Sequence, residues 1–190
     1  MRSSKKILAT LVALAAAATL SACSDSDSPS GDSKNFNEAD VKFAQDMIPH
    51  HRQATEMAAL AQDRSVNVQI LELAESIESA QEPEIETMTG WLEAWGEDVP
   101  QEMSGEMDHS SHAGMPGMMS AEDMAALEGA TGPEFDQMFL TMMIQHHMGA
   151  IEMAQAEVSD GKYDDAVKLA TSIEQEQADE ITLMEQLLNR

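Results

Sequence analysis

A block of sequence that occurs twice constrains this chain more than any other feature. Phe43, Met47, Ile48, His50, His51, Ala54, Glu56, Met57 and Ala58 return 96 residues later as Phe139, Met143, Ile144, His146, His147, Ala150, Glu152, Met153 and Ala154. The same offset carries Leu73-Ala74, Ile77-Glu78, Gln81, Glu84-Ile85 and Met88 onto Leu169-Ala170, Ile173-Glu174, Gln177, Glu180-Ile181 and Met184, with no gap between the two blocks. A repeat of this kind is one supersecondary unit used twice. Each block is helical in period: Phe43, Met47, His50, Ala54, Met57 and Ala61 step by four and three, as do Ile70, Ala74, Ile77, Gln81, Glu84, Met88, Trp91 and Trp95. Turns are expected near Asp63 to Val66 and at Ser159-Asp160-Gly161. Two helical hairpins with apolar stripes pack as an all-α four-helix bundle.

The bundle occupies residues 38–190, with repeat 1 at 38–95 and repeat 2 at 133–190. Between them, residues 96–120 form a Met/His-rich loop and 121–132 a short helix and linker. Ser120 and Asp123 spell a capping box for that short helix, and Pro133 suits the first turn of the next.

The region before residue 38 has a different logic. Arg2, Lys5 and Lys6 precede a Leu/Ala-rich run, Ile7 to Leu20, which is too short to span a bilayer comfortably. Residues 1–22 read as a signal peptide. They end in Leu20-Ser21-Ala22-Cys23, which resembles a bacterial lipobox. Cys23 is the single cysteine, so an intrachain disulfide is ruled out and lipidation of its sulfur is expected. Residues 23–37, rich in Ser and Asp, are then expected to serve as a tether, and an extracytoplasmic, membrane-anchored lipoprotein is the expected product. The formal charge is −25, about −28 once the signal is removed. Such acidity excludes a nucleic-acid partner, which calls for basic patches, and favours cations at the surface.

The core stripes carry polar residues in the same places in both halves. His50 and His146 lie on the first stripe of each hairpin; Gln81 with Glu84, and Gln177 with Glu180, lie on the second. Burying such groups without partners costs ~2–7 kcal/mol each, so they must find one another or a ligand. Reflecting each hairpin about its expected turn, near residues 64–65 and 160–161, brings Met47, His50, Glu84, Met143, His146 and Glu180 towards one layer. Ferritin-like di-metal bundles place a lone Glu on two helices and Glu-x-x-His on the other two. Here lone Glu84 and Glu180 face Met47-x-x-His50 and Met143-x-x-His146. Thioether in place of carboxylate moves the preference from iron to copper, Cu(I) first and Cu(II) second. His51 and His147 lie about 100° round the helix from their neighbours, within reach of the same methionines. Met57 and Met153 add thioethers further along the stripes. The Gln and Glu residues serve as ligands, as acceptors that orient the imidazoles, or as fixtures of the bundle register. Pro49 frees the carbonyl of Gln45 beside His50, and Gln145 replaces it in the second half.

A second set of soft donors lies in the loop: Met103, Met107, His109, His112, Met115, Met118 and Met119, among glycines and a proline. No helical stripe runs through it, so core packing explains these methionines poorly, and a copper-scavenging segment is expected. Glu106 and His109 have an iron-type spacing, discounted because it falls in a Gly-flanked loop.

The two His-His blocks and the two Gln-x-x-Glu-Ile-x-x-Met elements resemble the bacterial "domain of unknown function 305" family, over roughly residues 38–190. The resemblance implies a ferritin-like fold, extracytoplasmic copper binding and copper tolerance, with metal roles for His50, His51, His146 and His147 beside Met47 and Met143. No nucleophile–base pair, phosphate loop or cofactor fingerprint is present. The leading expectation is therefore a protein that sequesters copper or passes it to a copper-handling partner without turnover. A metal-dependent oxidase of ferritin-like layout and a purely structural bundle are the alternatives.

Overall fold

Five helices follow in the computed structural model, which describes residues 34–101 and 115–190: α1 Glu38–Arg64, α2 Val68–Trp95, α3 Ala121–Gly129, α4 Pro133–Asp160 and α5 Asp164–Leu188. The described residues contain no strand, and all belong to one unit, Lys34–Arg190. The signal segment, Cys23, most of the tether, and Met103, Met107, His109 and His112 lie outside the described residues, as does the Glu106–His109 pair. Among the described residues no helix is long and apolar enough to cross a membrane. The α1/α2 and α4/α5 hairpins join through a direct α1–α4 contact, so the first helix of each repeat is central. The result is the helical bundle expected from the periodicity.

Local chemistry sets the helix ends. Asn37 caps α1 by accepting from Ala39 N and Asp40 N, while the Asp40 carboxylate accepts from Asn37 N at 2.6 Å, completing a capping box. Ser120 and Asp123 form the box that opens α3, and Pro133 sits in the first turn of α4. Helix α1 runs unbroken through Pro49. The α1–α2 connection, residues 65–67, has extended backbone at Ser65 and Asn67. Gly161 and Tyr163 repeat this between α4 and α5.

The apolar interior falls into two clusters with the histidines at their boundary. One holds Ala54, Met57 and Ala61 of α1 with Phe135, Phe139 and Met143 of α4; the other holds Phe43, Met47 and Ile48 of α1 with Ala150 and Ala154 of α4. The two central helices therefore run antiparallel and cross at His50 and His146.

Each central helix also fastens the turn of the opposite hairpin. Asp40 in the first turn of α1 accepts from Lys162 N at 2.9 Å and Tyr163 N at 2.8 Å. Its repeat mate Asp136 in α4 accepts from Ser65 Oγ at 2.5 Å. The two ends also differ in a buried acid: Glu157, fully enclosed on α4, stands where repeat 1 has Ala61. Burial pushes the Glu157 carboxyl up to about 8, and the Asp40 and Asp160 carboxyls add to the shift. Burial also pushes Asp40 up, but the N–H groups of Tyr163, Asn37 and Lys162 and a proton on Glu157 outweigh it, leaving Asp40 below its ordinary value. Ionised, neither Glu157 oxygen has a partner; protonated, it donates to Asp40.

A pH dependence follows from this pair. A carboxyl raised from 4.5 to about 8 on folding contributes its full stability below pH 4.5. That contribution falls as pH rises and is gone above about 8. Glu157→Gln keeps an N–H donor towards Asp40 and cannot ionise. Urea unfolding at pH 5 and pH 9 should show the parent losing ~2–4 kcal/mol across that interval through this group, and the variant losing much less. Parallel losses in both proteins would place the alkaline sensitivity elsewhere.

Candidate metal centre

Four imidazoles meet where α1 and α4 cross, and all four are fully buried. The rings of His50 and His146 pack at 3.7 Å between centroids, tilted by 35°, and His147 follows His146 at 6.4 Å. Burial pushes His50 down to about 3, His51 adds to the shift, and the Pro116 carbonyl opposes it. Burial holds His146 well below its ordinary value too, reinforced by His50, His147 and His51, with the His50 backbone opposing. Both rings of the pair are therefore neutral, the form in which imidazole can offer a lone pair to a metal.

Hydrogen bonds fix the tautomers of three rings. A carbonyl or carboxylate oxygen can only accept, so the ring nitrogen facing it carries the proton. His50 Nε2 donates to Pro116 O at 3.1 Å. His51 Nε2 donates to Glu84 Oε2 at 2.7 Å, and His147 Nε2 to Glu180 Oε2 at 2.6 Å. In each of these rings Nδ1 is buried and has no partner, and on the neutral His50 ring it carries the lone pair. Neither nitrogen of His146 completes a hydrogen bond. Buried polar atoms without partners cost free energy, and a repeated set of them calls for an explanation. A carboxylate gripping one nitrogen of an imidazole while the other stays open is the arrangement that orients and strengthens histidine ligands in metal sites.

Glu84 and Glu180 thus serve His51 and His147, 33 residues away in each half, rather than His50 and His146. The expected register is displaced. The hairpin contacts reflect about residues 67–68, not 64–65, because residues 65–67 are spent on the connection and α2 begins only at Val68. The expected single layer is also split. Met47 lies in the cluster on one side of the histidines, with Met88; Met143 lies in the cluster on the other, with Met184. All four thioethers are fully buried. Met88 and Met184 were not among the expected donors, although the repeat carries both. Met57 is two turns from His50 along α1, and Met153 is half-buried against the second cluster. Gln81 and Gln177 are buried, each with an unpartnered Oε1. Among the described residues no three His, Cys, Asp or Glu side chains converge as a metal-ligating set.

Of the loop methionines, Met115 and Met118 are half-buried. Met119 is a core residue, 8% exposed, so packing accounts for this one loop methionine, against the expectation for the segment. It precedes the N-cap Ser120 and joins Met124, four residues into α3, in the same cluster, which is the placement of a hydrophobic staple.

The chain is thus a helical bundle of two repeated hairpins, with a pair of histidines buried between two clusters that each hold methionines. The family described as domain of unknown function (DUF305) matches residues 40–188, and the chain belongs to it. Among solved structures it is similar to a DUF305 protein of Streptomyces coelicolor described as secreted, at 33% identity and TM-score 0.70, covering 80% of this chain and 91% of that one. A DUF305 fragment from Deinococcus radiodurans matches at 31% identity and TM-score 0.71, over 81% and 97% of the two chains. CopM in its Cu(II)-bound form matches at 30% identity and TM-score 0.67, over 79% and 95%. CopM has also been solved bound to Cu(I) and to silver. No curated protein is significantly similar to the chain.

Proposed function

We propose that this chain is an extracytoplasmic copper-binding protein that takes up Cu(I), and less readily Cu(II), at the crossing of α1 and α4. The observation that carries the reading is the set of buried Nδ1 atoms without partners on His50, His51, His146 and His147, with His50 and His146 in ring contact. Met47, Met88, Met143 and Met184 supply thioethers on either side, and the combination of imidazole with thioether suits Cu(I). Glu84 and Glu180 act on the ion through His51 and His147. The likeness to CopM, solved with both oxidation states of copper, supports the same cargo here. The protein sequesters copper or hands it to a partner, without turnover. Its tether, the lipid on Cys23 and the methionines and histidines of residues 103–119 hold it at the membrane face and gather ions there. The signal-like start and the secreted relative favour that location.

The test is an anaerobic titration with Cu(I) against a chromophoric chelator, with Fe(II) as comparator. Uptake of Cu(I) in preference to Fe(II), with a histidine signature in the X-ray absorption spectrum, is expected. A protein indifferent to Cu(I) overturns the reading, as does binding through sulfur alone.

A further inference from the structure

His50 and His146 have no exposed surface, so an ion reaches them only if something moves. We propose that residues 115–119 form a strap closing the α1–α4 groove over this pair, and that the ion enters and leaves when Pro116 lets go of His50. The proposal rests on the reading of the histidine pair as a copper site and adds its control.

Three fastenings define the strap. Pro116 O accepts from His50 Nε2 at 3.1 Å. Gln53, buried on α1, holds Met119 at both backbone atoms, donating to its carbonyl at 3.0 Å and accepting from its N–H at 2.7 Å. Pro116 and Gly117 also press directly on the backbone of α4. A Cβ on Gly117 would come within 2.7 Å of Gln145 O and 2.8 Å of His146 O, and one on Gly149 within 2.1 Å of Pro116 O. Gly117 also takes a φ of 76°, where glycine is favoured.

The repeat makes the strap's role legible. Gly149 and Gln53 are equivalent positions, 96 residues apart, and Gln145 is the mate of Pro49. Both of these positions, among those at which the two central helices differ, lie where the strap does. A glycine in mid-helix weakens the helix relative to alanine, so Gly149 needs a reason, and the approach of Pro116 supplies one. Among the described residues, the strap is held over the rings by fewer bonds than the helices around them. The surrounding helices carry continuous backbone ladders, whereas the strap is tied to the central helices by the His50 bond and the Gln53 pair. Elements with few fastenings open far more often than the whole protein unfolds. Release of Pro116 frees His50 Nε2 of its acceptor and opens the groove beside both rings.

Gly149→Ala tests this, because its methyl group displaces Pro116 while favouring α4. Gln53→Ala, which cuts the Met119 fastening without adding atoms, serves where the first variant does not fold. Two rates are read on the protein. Acylation of His50 by diethylpyrocarbonate, located by peptide mapping without metal, should rise roughly tenfold. Transfer of Cu(I) to an external chelator should rise by a similar factor, with stoichiometry unchanged. Folded variants that match the parent in the acylation rate overturn the strap, whatever their copper behaviour. A parent that binds no Cu(I) overturns the copper reading instead, and the acylation rates still decide whether the strap covers His50.

Discussion

Replacing His50 and His146 together with Leu is expected to give a protein that is more stable than its parent without copper and no longer stabilised by it. In the parent, His146 buries two ring nitrogens with no hydrogen bond, and His50 buries one. An unsatisfied buried polar group costs ~1–3 kcal/mol, and a volume-conserving apolar replacement in a packed layer costs little. The layer lies between two apolar clusters that Leu can join. A gain of ~1–3 kcal/mol in ion-free urea unfolding follows, with the loss of the Pro116 bond setting its lower end. The parent should recover more than this when Cu(I) is added, since a ligand at a thousand times its dissociation constant stabilises by about 4 kcal/mol. The Leu pair should not respond. Replacing Met115 and Met118 instead should leave the copper-dependent stabilisation in place, because these half-buried side chains are not among the buried groups around the histidines. An ion-free protein weakened by the Leu substitutions would mean that the imidazoles hold the core together, and the case for a ligand site would fall with them.

The fold was more legible in the sequence than the site. The fold rests on redundant signals. Phe43, Met47, Ala54 and Ala61 repeat as a stripe, Asn37 and Ser120 cap their helices, and Pro133 opens the next. The site rests on exceptions to those signals, and an exception reveals its purpose only once its neighbours are known. His50 and His146 violate an apolar stripe, which marked them, but which oxygen meets which ring depends on a few residues of hairpin register. The three-residue connection at Ser65–Asn67 moved that register and gave Glu84 to His51.

Other features were in the sequence but unused. Glu157 reads as a surface residue on an acidic helix. Yet repeat 1 has Ala61 at the same place on its stripe, and that equivalence puts Glu157 inside. Met88 and Met184 close the same repeated element as Glu84 and Glu180, one turn on, and so belong beside the histidine layer. Met119 stands immediately before a helix cap, where an apolar residue packs back onto the helix. Gln53 was beyond reach, because its meaning depends on a strap that arrives from 66 residues further along the chain.

The largest loss of stability is expected from Asp40→Ala. Asp40 is fully buried and accepts from three backbone N–H groups: Asn37 in its own cap, and Lys162 and Tyr163 in the turn between α4 and α5. Removing the carboxylate abolishes the capping box and strands donors that water reaches poorly, at ~3–5 kcal/mol. For a domain of this size that is roughly 10 °C in Tm. Asp136→Ala removes the repeat mate, which holds only the Ser65 hydroxyl at the other end, and should cost ~1 kcal/mol. The two variants differ in a second way. Asp40 is one of the two carboxylates that push Glu157 up, so the Asp40 variant should also ionise Glu157 at lower pH and flatten the alkaline decline in stability. The Asp136 variant should keep that decline. Equal, mild losses in both, with the same pH profile, would mean that the tie from α1 to the opposite hairpin contributes no more than an ordinary surface hydrogen bond.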